Sequence, residues 1–363
     1  GEVRVLHNGK LVEVLNRAAI RSGLAQPAAP AAAATAPATA GARGEEAVTR
    51  ALRLAVQAEQ SQGVPTAPVD EVRTEVELEL VPGENAVSVI GFNGPGNLNA
   101  RPLTRAVQAA GTAPAPRIFV LAVGVDLFVN ANAAPPLQFA VKDTNDFTAA
   151  LRRKMAGAYQ EAPVIVRTLQ NQQATLPALN AALDELQKEV RPSDLLVWFV
   201  ASHGTLDAQA QYGIVLHDWD GRPSEASLFS TRRILEAARR IRAFNQLVIL
   251  DTCHAGGVSS LVRGLYDARL AVLARNMGLH LFASASATEE ALDGYKGNGL
   301  FTHSLLEALG TQKADRNADR RVTVNEMGDF ARRETMRIAR LLRHNQEPLL
   351  MSFGKDVTVY AID

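Results

Sequence analysis

The chain holds a single cysteine, Cys253, among 363 residues. One thiol cannot make an internal disulfide, and no four-ligand zinc pattern can be built around it. Such usage suits a reducing compartment, so a cytoplasmic location is expected. Net charge is missing as well: 38 basic residues balance 38 acidic ones. That balance removes the electrostatic case for a nucleic-acid or membrane-surface partner. No run of about 18 apolar residues occurs, which excludes a helical membrane span. The sequence begins at Gly1 without Met, as a trimmed piece would, and any targeting segment would then be missing. The length exceeds that of a usual single domain, so a main domain with a smaller one is expected.

What is present falls into two rhythms. Glu2 to Val14 alternates apolar and polar residues around Asn8-Gly9, the strongest short-range hairpin signal. Residues 26–43 are Ala, Pro, Thr and Gly and read as a disordered insertion. Glu45 to Gln62 reads as an amphipathic helix. Arg73 to Leu80 alternates strictly, and Pro82-Gly83-Glu84-Asn85 turns the chain into Ala86–Phe92. Residues 1–108 are therefore expected to form a small antiparallel β-sandwich, and 109–116 a linker. From Arg117 strands alternate with helices, which implies a six-stranded, mainly parallel sheet with helices on both faces over 117–363. The expected strands are Ile118–Val125, Pro163–Thr168, Leu195–Ser202, Gln246–Thr252, Leu279–Ser284 and Val357–Ile362.

Two of these strands carry chemistry. Gln246 to Thr252 is an apolar strand running into Cys253, His254, Ala255 and two glycines, which would hold the thiol at the carboxyl edge of the sheet. Leu195 to Ala201 is another, delivering Ser202-His203-Gly204 to the same edge. Cys253 follows His203 by 50 residues, room for one hairpin and one helix. A thiolate attacks a peptide carbonyl far better than a thiol does, so the cysteine needs a nearby base. His203 would take its proton and return it to the leaving amine. The bland reading of Cys253 is a buried structural thiol; its strand-end position and the paired His-Gly speak against that. His254 is a rival base, but a neighbour one residue along an exposed turn usually points elsewhere; His217, His280 and His303 read as packing or surface residues.

Over residues 117–363 these motifs resemble the caspase-like cysteine peptidases, and the metacaspase branch most closely. The matching elements are Ser202-His203-Gly204 and Asp251-Thr252-Cys253-His254-Ala255-Gly256, in the family's order and spacing. Caspases carry Gln two places before the nucleophile, whereas metacaspases carry Asp, as here. The resemblance implies a His203–Cys253 dyad and an oxyanion hole made by the backbone amides of Gly204 and Cys253. It also implies that Asp251 lines the pocket for the residue before the scissile bond. Asp143, in Leu137–Asp143, matches a second pocket acid; it reads equally well as a first-turn acid of the next helix. Two carboxylates in one cleft would select a cation, so cleavage after Arg, or Lys second, is expected.

Some positions depart from the branch. Ala255 stands where the branch usually carries serine, Ala201 replaces a hydroxyl that helps line the pocket, and the calcium-binding acids after the cysteine motif have no counterpart, so calcium dependence is not expected. Asp315 to Glu326 resembles an EF-hand loop but lacks glycine at position six and holds three arginines; a solvated turn capping the last helix fits better. No metal or other cofactor is expected. Residues 256–278 carry Arg263, Arg269 and Arg275, candidate sites for activation by self-processing or by an upstream protease; a surface helix over 261–276 is the alternative. The expected protein is a monomeric bacterial cysteine endopeptidase acting on proteins or peptides, its stress, defence or cell-death setting taken from the resemblance alone. A catalytically idle relative serving as a binding scaffold is the alternative.

Overall fold

The computed structural model describes residues 2–16, 49–55, 73–93, 99–112, 114–158, 164–207, 212–254, 279–285 and 291–362. The insertion at 26–43 and the candidate processing segment at 256–278 lie outside them. The chain forms two compact units, Gly1–Ala113 and Pro114–Asp363.

In the first unit β1 (Glu2–His7) and β2 (Lys10–Asn16) form the expected hairpin. Asn8 and Gly9 take φ of 50° and 85°, the paired positive values a tight primed turn requires. β3 (Thr49–Ala55) pairs with β4 (Arg73–Glu79), while β5 (Gly83–Phe92) lies between β1 and β6 (Leu103–Ala109). Val5 and Val87 of the four-stranded sheet pack with Val76 and Leu78 of β4, so two small antiparallel sheets share one core. The helix expected over 45–62 is thus overturned at its centre, where 49–55 is a strand. The cause is tertiary: β4 needs a hydrogen-bonding partner, and that demand overrides the helical propensity of Ala, Leu and Arg. β6 was not anticipated, and it runs to the start of the expected linker.

The second unit is built on β7 (Ile118–Gly124), β8 (Val164–Gln170), β9 (Leu195–Leu206), β12 (Asn245–His254), β13 (His280–Ala283) and β15 (Leu349–Ser352). The spatial order is β8-β7-β9-β12-β13-β15, parallel except for β15. β10 (Tyr212–Ile214) and β11 (Phe229–Ser230) continue antiparallel from the far end of β9. The expected sixth strand over 357–362 is displaced. β16 (Thr358–Ala361) pairs with β14 (Arg321–Thr323) in a separate ribbon, and Leu349–Ser352 takes the sheet edge instead.

Five helices are described: α1 (Ala140–Ala158), α2 (Leu176–Glu189), α3 (Thr231–Arg240), α4 (Leu300–Gly310) and α5 (Val324–Leu341). Ser230 caps α3 through a bond from the Arg233 amide, as its residue type suggested. Thr323 and Glu326 form a reciprocal capping box on α5, so the last carboxylate of the EF-hand-like loop is committed to the helix start. The core packs Phe147 of α1 on Phe199 of β9, stacked at 4.4 Å, and continues through Ile249, Phe282 and Phe301.

Candidate active site

β9 and β12 are inner strands in parallel register, and Cys253 stands opposite His203, with His254 opposite Gly204. Neighbouring strands lie about 4.8 Å apart, so the two backbone positions are one strand gap from each other. Both motifs therefore reach the same carboxyl edge. Burial on both faces explains why each strand reads as a continuous apolar run.

His203 is only 7% exposed. Its Nε2 donates to the Pro135 carbonyl at 2.7 Å; a carbonyl only accepts, so the ring proton sits on Nε2. Nδ1 is buried and has no partner among the described residues. Burial pushes the imidazole pKa below its ordinary value, against the Pro135 carbonyl and Asp293, and so favours the neutral form. Phe128 lies against the ring at 5.1 Å. Pro135 and Phe128 belong to the loop between β7 and α1. It is tied down by Val125 N to Ala201 O (3.0 Å), Val129 N to His217 O (2.9 Å) and the Asn171 side chain on the amides of Asp126 and Leu127. His217 is a fastener of this loop, its Nδ1 donating to Leu127 O at 2.6 Å. His280 is buried between Ser352 and the Lys355 carbonyl.

Beside the strand ends lies a cavity of about 20 Å³, lined by Leu137, Asp143, Asp251, Asp293, Ala201 and Gly299 among others. That is room for about one water molecule. Asp143 is in the first turn of α1, as one of its two readings had it, and it lines the cavity together with Asp251. Its carboxylate accepts from Asn298 Nδ2 at 2.7 Å and from the Gly299 amide at 3.0 Å. Asp251 accepts from Thr302 Oγ1 at 2.5 Å. A Cβ on Gly299 would sit 3.0 Å from one carboxylate and 3.2 Å from the other, so only glycine leaves the gap between them open. Burial, then the charge of Asp251, pushes Asp143 up to about 8. Asp251 and Asp293 are raised too, each chiefly by burial. Two carboxylates in one such site hold on to a proton.

Sequence reasoning reached His203, Gly204, Cys253, Asp251 and Asp143, and the fold brings all five to one end of the sheet. It missed Pro135, which acts through a backbone carbonyl and leaves no side-chain signal. It also missed Asp293, which sits in a polar turn whose only cue was Asp293-Gly294.

A mainly parallel α/β sheet with a histidine and a cysteine at adjoining inner strand ends defines a fold of the caspase kind. The family model for the caspase domain of peptidase family C14 matches residues 117–353, and the chain belongs to that family of cysteine peptidases. Solved structures similar to the chain include protein GSU0716 from Geobacter sulfurreducens. It is 16% identical, covers 66% of this chain and 94% of its own, and has a TM-score of 0.46. A comparison with curated proteins finds no match. Among the described residues no helix is long and apolar enough to cross a membrane.

Proposed function

We propose that the protein is a cysteine endopeptidase in which His203 activates Cys253 and the carboxylate cavity selects a cationic residue before the scissile bond. The observation that carries this reading is the register of β12 on β9, which sets Cys253 across from an imidazole whose Nδ1 has no other described partner. Nδ1 takes the thiol proton, and the sulfur attacks the peptide carbonyl carbon. The resulting oxyanion is held by the Gly204 and Cys253 amides. The Pro135 carbonyl steadies the imidazolium through its Nε2–H. The imidazolium then protonates the leaving amine, and water, deprotonated by the same histidine, releases the acyl group from sulfur.

Asp143, Asp251 and Asp293 favour a guanidinium, which two carboxylates can grip with paired hydrogen bonds. A cavity of one-water size does not hold an arginine side chain. On this reading the lining must open to admit the side chain. A bacterial, metacaspase-like peptidase of stress or defence, monomeric, independent of calcium and processed by itself or an upstream protease, fits this picture. Mass spectrometry of a proteome digested by the protein and by its Cys253→Ala form tests the assignment. New termini after Arg, fewer after Lys and none with the variant are expected. Cleavage after Asp would remove the pocket reading, and identical digests would remove the peptidase.

A further inference from the structure

Behind the His203–Cys253 edge a tyrosine from the neighbouring hairpin reaches across one strand to touch the next. Tyr212 is on β10, paired with Leu206 of β9, yet its hydroxyl meets Thr252 Oγ1 of β12 at 2.8 Å. To arrive there the ring passes over Gly204. A Cβ on that glycine would lie 2.5 Å from Tyr212 Cε2 and 2.6 Å from its hydroxyl oxygen, an impossible approach. Glycine at 204 is thus fixed by the ring that crosses it as well as by the need to approach substrate. Tyr212 is fully buried and Thr252 is 5% exposed, so the bond between them is shielded from water. Its far end is anchored too: the Tyr212 carbonyl accepts from Thr231 Oγ1 at 3.0 Å.

We infer that Tyr212 is a positioning residue, fixing the backbone of Gly204 relative to that of Thr252-Cys253 so that their two amides stay aimed at one oxygen. This rests on the peptidase reading above. The ring presses on Gly204 from behind while the hydroxyl holds Thr252, the residue just before Cys253. One rigid side chain therefore sets the spacing of both oxyanion donors. Donors of this kind work by being held in place before charge develops, and a displacement of about 1 Å can cost about a hundredfold in rate. Tyr212 acts through the backbone it holds, so its loss should show in the step that develops the oxyanion rather than in substrate binding.

Tyr212→Phe keeps the ring and removes only the hydroxyl. The expected result with an Arg peptide is a kcat lower by about ten- to a hundredfold, with KM within about twofold of wild type. Alkylation of Cys253 by iodoacetamide develops no oxyanion, so its rate should stay unchanged, while Tm falls modestly because a buried hydrogen bond is lost. Thr252→Val should give the same loss, and the double variant no further loss, since both break one bond. An unchanged kcat in an active background, or equal falls in kcat and alkylation rate, would overturn the inference while leaving the peptidase standing. A wild-type protein with neither turnover nor Cys253 labelling would overturn both.

Discussion

At the residue scale the informative group is Asp143, whose carboxyl is held up to about 8 by burial and by Asp251. A bound guanidinium needs the carboxylates ionised, so kcat/KM for an Arg peptide should climb with pH and level off only above about 8. The acid limb of His203 lies lower, below its ordinary 6.5. A profile flat from pH 6.5 to 9 would contradict the carboxylate grip. The same shift bears on stability with a definite sign. Asp143 binds its proton more tightly folded than unfolded, where 3.8 is ordinary. Its contribution is complete below pH 3.8 and is lost as pH rises toward 8. Asp143→Asn removes that loss, so its Tm should match wild type near pH 4 and exceed it at pH 9, read by differential scanning fluorimetry. The variant should also lose Arg cleavage. Asp251 and Asp143 were visible in the sequence as acids at element ends. Their raised pKa values were not, because these depend on how deeply α1, β12 and Gly299 bury the two carboxyls.

At the element scale one buried carboxylate joins the starts of two core strands. Asp194, fully buried, accepts from the Arg117 amide at 2.9 Å and the Arg117 guanidinium at 2.8 Å, and from the Arg191 amide at 2.8 Å. Arg117 stands just before β7, Asp194 just before β9. Asp194→Ala removes the acceptor of the Arg117 and Arg191 amides and the ion pair with Arg117, and should cost about 3 kcal/mol in urea unfolding with an unchanged m-value. A loss under about 1 kcal/mol would show that water replaces these bonds. Periodicity found most elements of this unit, since β7, β9 and β12 are buried on both faces and read as unbroken apolar runs. It failed where a neighbour decides. Residues 49–55 alternate no worse than they wind, and only β4 makes them a strand. Likewise Leu349–Ser352 is too short to outrank Val357–Ile362 until β13 offers it an edge.

At the scale of the whole molecule, each unit has its own buried cluster: Val5, Val76, Leu78 and Val87 in the first, the Phe147–Phe199–Phe282–Phe301 group in the second. Residues 114–363 should therefore fold alone and keep the cleavage preference of the full chain, judged by circular dichroism and peptide turnover; a fragment that melts without cooperativity would refute this. The sequence made the sheet and the His203–Cys253 juxtaposition legible because both follow from strand order. Pro135 and Tyr212 were hidden, one acting through its backbone and the other through a crossing that only three-dimensional register creates. β9 and β12 have partners on both sides, so His203 and Cys253 are borne by an enclosed ladder of the sheet. The Ala291–Asp293 wall of the pocket has no regular secondary structure. Deuterium should consequently enter the wall amides early and the Leu247–Leu250 amides last. On the peptidase reading proposed above, evolution could then retune what is accepted by editing this segment, without disturbing the strands that carry His203 and Cys253.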